Sequence, residues 1–184
     1  MYISAHWLLF CLLCLFSGPL LPQLPADSSL VLYLPFRAGA QDESAWRHRV
    51  VEHQATYGAD RYGQCDGAFY GDGAEACLEI PPAAEFDLTG SLTLSLWAKA
   101  EESLPTNAEL TLLWQGADIA HPVIRLGMNG LVFIGLEHAF VHVPNPERWD
   151  HYAACRDTLN KEIRLYLNAQ LKATISLFPQ HPVG

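Results

Sequence analysis

Ile163, Leu165 and Leu167 alternate with Arg164 and Tyr166, the period of a strand with one face buried. This strand, Glu162 to Leu167, stands in the middle of three. Trp149 to about Arg156 precedes it across a polar turn of residues 157–161, and Gln170 to Ser176 follows across Asn168-Ala169. A tight hairpin needs residues that tolerate positive φ, and Asn168 suits that better than Ala169. Ser91 to Lys99 repeats the pattern, with Leu92, Leu94, Leu96 and Ala98 on one face and Thr93, Ser95, Trp97 and Lys99 on the other. That reads as a central strand with its leucines between two sheets. Leu30 to Phe36 reads as a first strand ended by Pro35. Leu110, Leu112 and Trp114 alternate in another, and Val123 to Met128 and Leu131 to Glu137 flank the hairpin signal Asn129-Gly130. Phe140 to Val143 is a last short strand before Pro144.

A hairpin is expected earlier, with Ala68 to Gly71 running in, Asp72-Gly73 opening the turn and Cys77 to Ile80 running out. Before it, Arg37 to Gln64 is polar and without clear period, and its segment from His48 to His53 reads as a surface loop or short strand. Its string His48-Arg49-Val50-Val51-Glu52-His53 has the spacing of neither zinc-helix motif. No stretch longer than a turn or two carries a helical period. Strands about ten residues apart with turn chemistry between them predict an all-β sandwich.

A chain of 184 residues is enough for one domain with a core. Its formal net charge of −9, with only 11 scattered Lys and Arg, excludes a phosphate-binding nucleic-acid surface. The first 26 residues hold no Asp, Glu, Lys or Arg, and Trp7 to Phe16 is an apolar run broken by Ser17-Gly18-Pro19. Its length fits a secretory signal and is too short for a membrane span. The expected organisation is therefore a signal peptide over 1–26 and one exported domain over 27–184, without a span in the mature chain. Cys11 and Cys14 would leave with the leader; Cys65, Cys77 and Cys155 remain, so one disulfide at most is possible. Cys65 and Cys77 flank the expected hairpin, yet three small buried hydrophobes is an equal reading.

Six short motifs in order then resemble a known family. Leu30 to Phe36 is close to an L-V-x-x-Y-P-F opening strand. Asp42-Glu43-Ser44-Ala45 matches a D-x-S-G loop except for Ala. Gly63, Ala68, Asp72 and Gly73 fit a G-x-x-x-x-A-x-x-F-D-G hairpin, with Gly71 where Phe is usual. Thr93, Trp97 and Lys99 fit T-x-x-x-W-x-K, and Trp149, His151 and Ala153 fit W-x-H-x-A. Leu165, Tyr166 and Asn168 fit L-Y-x-N-G, with Ala169 for Gly. The chain thus resembles the laminin-G-like jelly rolls of the concanavalin A-like lectin/glucanase superfamily over residues 30 to 175. The resemblance implies a two-sheet antiparallel jelly-roll sandwich. It also implies a Gly-rich strand and a final strand beyond the last hairpin. Neither is seen before Gly184, so the expected roll lacks its C-terminal closing strands and leaves Leu30 to Phe36 with an open edge.

Glucanase relatives raise the question of catalysis. The E-x-D-x-E carboxylate pattern on a strand is absent, Glu85 and Asp87 sit in a connector, and no G-x-S-x-G occurs. His151 reads as a hydrogen-bonded structural residue. The expectation is a secreted, non-catalytic binding or adhesion module for carbohydrate or an extracellular protein. The alternative is an accessory piece of a larger exported glycoside hydrolase or surface protein. Lectin sandwiches hold sugars on aromatics, and Trp46, Trp114 and Tyr166 are the candidate ligand-binding residues; Trp97 and Trp149 are expected to pack in the core. Related domains hold Ca²⁺ near the D-x-S-G loop, which implies Asp42, Ser44 and Asp72 as candidate calcium ligands here.

Overall fold

The computed structural model describes residues 29–37, 39–71, 75–86, 90–100, 111–116, 122–127, 130–133, 136–139 and 148–177. They form an all-β structure of twelve antiparallel strands, with a single short 3₁₀ turn at Ala84–Phe86. The strands are β1 Val51–His53, β2 Thr56–Gly58, β3 Ala68–Tyr70, β4 Cys77–Glu79, β5 Leu92–Ala98 and β6 Thr111–Gly116. They continue with β7 Pro122–Gly127, β8 Gly130–Phe133, β9 Leu136–Ala139, β10 Asp150–Asp157, β11 Glu162–Leu167 and β12 Gln170–Ser176. No helix among the described residues is long and apolar enough to cross a membrane.

The C-terminal three strands and β5 make one four-stranded sheet in the order β12-β11-β10-β5. Alternation decides its faces. Ile163, Leu165 and Leu167 of β11 and Tyr152 and Ala154 of β10 are buried, and Leu92, Leu94, Leu96, Ala173 and Ile175 pack against them. Leu112 and Leu113 of β6 join the same cluster, so the second four-stranded sheet, β6-β7-β8-β9, shares this core. β5 is at one side of its sheet rather than in the centre among the described strands.

The β11–β12 turn has φ +51° at Asn168 and +63° at Ala169, so both residues occupy the left-handed region. Asn168 is tied down from β10: its side-chain Nδ2 donates to buried Asp150 at 2.7 Å, and its Oδ1 accepts from His151 N at 2.9 Å. Ala169 has no such support and carries the steric cost of Cβ at positive φ. Ala169→Gly is expected to stabilise the fold by about 0.5–1 kcal/mol, checked by chemical denaturation. At the β10–β11 turn, the backbone and amide of Asn160 hydrogen-bond Asp157 and draw its carboxyl below the usual value.

One expected pairing differs. The hairpin of Ala68 to Gly71 with Cys77 to Ile80 does not form. β3 pairs with β2, and β4 pairs with β1, through Thr56↔Tyr70 and Val51↔Glu79. Both partners come from the polar stretch without clear period, Arg37 to Gln64, where β1 lies in the string read as loop or short strand. Cross-strand contacts favour this pairing: Tyr57 meets Phe69 edge-on at 6.4 Å, and His53 bonds Glu79 at 2.9 Å. Cys65 and Cys77 are accordingly free and exposed, and Cys155 is a free thiol accepting from Thr93 Oγ1 at 3.6 Å.

The β7–β8 hairpin exists, but Gly127 pairs with Gly130. Its connection is residues 128–129, one position before Asn129-Gly130. β8 then stops at Phe133 and β9 begins at Leu136, where a single strand was expected. Leu30 to Phe36 is irregular, not a strand. Its backbone bonds go to the neighbouring loop, Glu43 N to Tyr33 O at 2.9 Å, and Phe36 turns the chain at φ +55°. The leader, the expected Phe140 to Val143 strand and residues 178–184 lie outside the described residues.

Candidate functional site

Two groups of polar and aromatic side chains merit chemistry: the loop around Asp42 and the outer face of the β12-β11-β10-β5 sheet. In the first, the Asp42 side chain is wholly enclosed. Its Oδ1 accepts from Tyr33 N at 3.0 Å and Ser44 N at 2.9 Å. Its Oδ2 accepts from Ser44 Oγ at 2.9 Å, His48 N at 2.8 Å and His48 Nδ1 at 2.8 Å. Burial alone would raise the carboxyl pKa. The donors of Tyr33, Ser44 and His48 outweigh it and hold the group at about 2 instead of 3.8.

The sequence-derived calcium ligands Asp42 and Ser44 are therefore brought together, but turned on each other. Five donors fill the carboxylate, which has about four lone-pair sites. Ser44 Oγ is itself engaged with Val31 O at 3.1 Å and Trp46 N at 3.3 Å. A Ca²⁺ ion takes six to eight outward-facing oxygens, and this donor set does not fit it. Asp72, the third candidate, lies outside the described residues. No cluster of three His, Cys, Asp or Glu suited to a metal occurs among the described residues.

The same geometry bears on catalysis. A nucleophilic triad places the serine against the imidazole nitrogen that faces away from the acid. Here Ser44 bonds the acid directly, and His48 Nε2 faces Glu85 at 3.8 Å. The His48 ring also lies 4.6 Å from Phe86 and 6.4 Å from the stacked Trp46 ring. This is a buried brace joining the segment at Tyr33, the loop and the Ala84–Phe86 turn. Trp46, a sequence candidate for ligand binding, is half-exposed beside it.

The second group is built on the strand face opposite the core. Trp97 of β5 pairs across to His151 of β10, with ring centroids 4.9 Å apart. His151 Nε2 is 2.8 Å from Ser95 Oγ. Ser95, Ala153 and Tyr166 form the next cross-strand row, with the small Ala153 between the two larger side chains. Tyr166, a sequence candidate, thus belongs to this face.

The β2–β3 connection supplies the rest. Asp60 nucleates it. Its Oδ1 accepts from Tyr62 N and Gln64 N, both at 2.8 Å, while Asp60 N donates to Gln64 O at 3.0 Å. Gly63 is needed at φ +81°, and Gly67 packs so closely that a Cβ would come within 2.9 Å of Asp60 Cβ. The loop so fixed lays Arg61 over Trp97, 4.2 Å from its centroid, and over Tyr62 at 4.5 Å. The result is a row of neighbouring side chains, Tyr62, Arg61, Trp97 and His151, with the last two rings tilted by 41°. Burial, and then the Arg61 charge, lower the His151 pKa. The ring is therefore neutral at physiological pH, with one nitrogen able to donate and one to accept.

Trp97 is 44 % exposed, which corrects the expectation that it packs in the core. The strand alternation already placed it with Thr93 and Ser95 on the polar side; its size suggested otherwise. Trp149 is half-buried, with Lys99 Nζ 5.9 Å from its ring centre. Arg61 and Tyr62 were missed because their stretch has no period, although Asp-x-x-Gly at 60–63 is a turn signal. Trp114 is in β6, and its side chain lies outside the described residues. In comparison with known proteins, the chain matches no family model, no curated protein sequence and no solved structure.

Proposed function

We propose that this chain is a non-catalytic binding module of the laminin-G-like jelly-roll type, exported from the cell, and that it holds carbohydrate on the outer face of the β12-β11-β10-β5 sheet. The fold reading is supported by the path of the chain. It leaves the first sheet after β5, runs through the β6-β7-β8-β9 meander, and returns beside β5 as β10. Apolar residues of both sheets share a core, as a sandwich requires.

The observation that carries the function is the exposed row of Tyr62, Arg61, Trp97 and His151. Tyr62 is 71 % exposed although one ring face is against the Arg61 guanidinium, so its other face is open to solvent. Large rings left in water at a fixed geometry are suited to the apolar C–H faces of a sugar ring. Ser95, His151 and Tyr166 supply hydroxyl and imidazole groups beside them for the sugar hydroxyls. A protein-binding surface would be expected to carry a larger apolar centre than this polar row.

Trp97→Ala and Tyr62→Ala are expected to reduce binding on a glycan array by at least about tenfold each, the range of a hot-spot aromatic. Because Tyr62 is largely exposed, Tyr62→Ala should leave the thermal midpoint close to that of the parent, and Trp97→Ala, at a half-exposed ring, should lower it modestly without unfolding the chain. Undiminished glycan binding by both variants would defeat the assignment of this face.

A further inference from the structure

Arg61 narrows the class of sugar. Its guanidinium carbon lies over two rings, 4.5 Å from the centre of Tyr62 and 4.2 Å from that of Trp97. A guanidinium held over aromatic rings gains from their π faces without spending its N–H donors, five of which it carries. Among the described residues no carboxylate pairs with Arg61, in a chain that holds 20 Asp and Glu. The nearest acid in sequence, Asp60, spends Oδ1 on its own loop through Tyr62 N and Gln64 N. A cation so placed, with no carboxylate partner among the described residues, has the donors to receive a planar oxyanion through two parallel N–H bonds.

The neighbours agree with this. Ser95 Oγ and His151 Nε2, 2.8 Å apart on the adjacent strands, add a neutral polar edge to the same row. The chain's net charge of −9 repels an anion at long range. That repulsion fades beyond about 8 Å at physiological salt, so the local cation governs the contact.

We propose that the saccharide held at this face is acidic: a sugar ring stacks on Tyr62 and its carboxylate is received by the N–H groups of the Arg61 guanidinium. This rests on the carbohydrate reading above and adds the ligand class to it. It also assigns roles within the row. Trp97 positions the guanidinium rather than serving as the main sugar platform, and Arg61 is the specificity-determining residue.

The test is a glycan array carrying matched acidic and neutral glycans: oligogalacturonate beside its methyl ester, and sialyllactose beside lactose. Sulfated heparin oligosaccharides would stand as a separate arm. The full chain is expected to prefer the carboxylated member of a pair. Arg61→Gln should remove that preference, weakening the acidic glycan on the order of 10- to 100-fold more than its neutral partner. Arg61→Lys keeps the charge but loses the flat fork, and should recover only part of the preference. Equal binding of acidic and neutral partners, or a preference that survives Arg61→Gln, would overturn the acidic assignment and leave the carbohydrate reading standing. Binding confined to the sulfated arm would overturn the carboxylate assignment. No binding to any glycan would overturn both.

Discussion

Asp42→Ala is expected to destabilise the fold by about 3–5 kcal/mol, read as a shift in urea midpoint. That range is the cost of removing one partner from a buried charged network. The carboxylate is the common acceptor for the backbone N–H groups of Tyr33, Ser44 and His48, for Ser44 Oγ and for His48 Nδ1. Alanine removes the acceptor shared by the N–H groups of Tyr33, Ser44 and His48 and by His48 Nδ1, while Ser44 Oγ keeps Val31 O. Asp42→Asn should do little better, because one of its two terminal groups is an NH₂ that faces donors. An Asp42→Asn variant as stable as the parent would show that the network is not held by charge.

The same residue predicts a pH dependence. Its carboxyl titrates at about 2 in the folded chain against 3.8 as the ordinary value. The unfolded chain therefore binds more protons between these values, and stability falls as pH falls. The contribution is present in full above the unfolded pKa. It is lost as pH drops toward the folded pKa, and amounts to roughly 2 kcal/mol at about 1.4 kcal/mol per unit. Urea midpoints taken from neutral pH down to about pH 2 should show an acid limb in the parent chain that is shallower in Asp42→Asn. Added Ca²⁺ or EDTA should not move the midpoint through this loop, because its oxygens are already engaged by protein donors. A calcium-dependent rise abolished by Asp42→Ala would contradict that.

Leu165→Ala is expected to cost about 3–5 kcal/mol, the upper part of the range for a buried leucine. Leu165 is 1 % exposed in the middle of β11. Its partners across the ladder on the same face are Ala154 and Ala173. Alanines have no side chain to swing into the vacated volume, so the cavity persists, and the size of the residual cavity sets the cost. Folded domains are stable by only about 5–15 kcal/mol, so a large share of the total is at stake. Leu171→Ala is the control. The same residue type in β12 is exposed and should change stability by under about 0.5 kcal/mol. Similar losses at both positions would mean that the buried face of this sheet is assigned wrongly.

The β10–β11–β12 unit was legible from residues alone because its contacts are local. Strict alternation set the faces, and Asn168 marked the turn; β11 and β12 begin and end at the expected residues. β5 lies within the expected Ser91 to Lys99 for the same reason, although Trp97, expected in the core, stands half-exposed on its outer face. The strand partners at 51–79 were not legible. A short strand of three residues has no period to read, and its partner is chosen by contacts such as Tyr57 with Phe69 that only a folded chain makes. Leu30 to Phe36 has strand-like composition, but Asp42 captures its backbone from nine residues away.

The candidate site divides along the same line. Alternation and turn chemistry are properties of neighbours in sequence, so the all-β class, the two-faced C-terminal strands and the place of Tyr166 on the open face followed from the order of residues. The row of Tyr62, Arg61, Trp97 and His151 joins a loop, β5 and β10, which are far apart along the chain. The saturation of Asp42 depends likewise on where Tyr33 and His48 come to rest. Residue type shows that an arginine or an aspartate is present. Which of its faces and lone pairs remain open to a ligand is decided by packing.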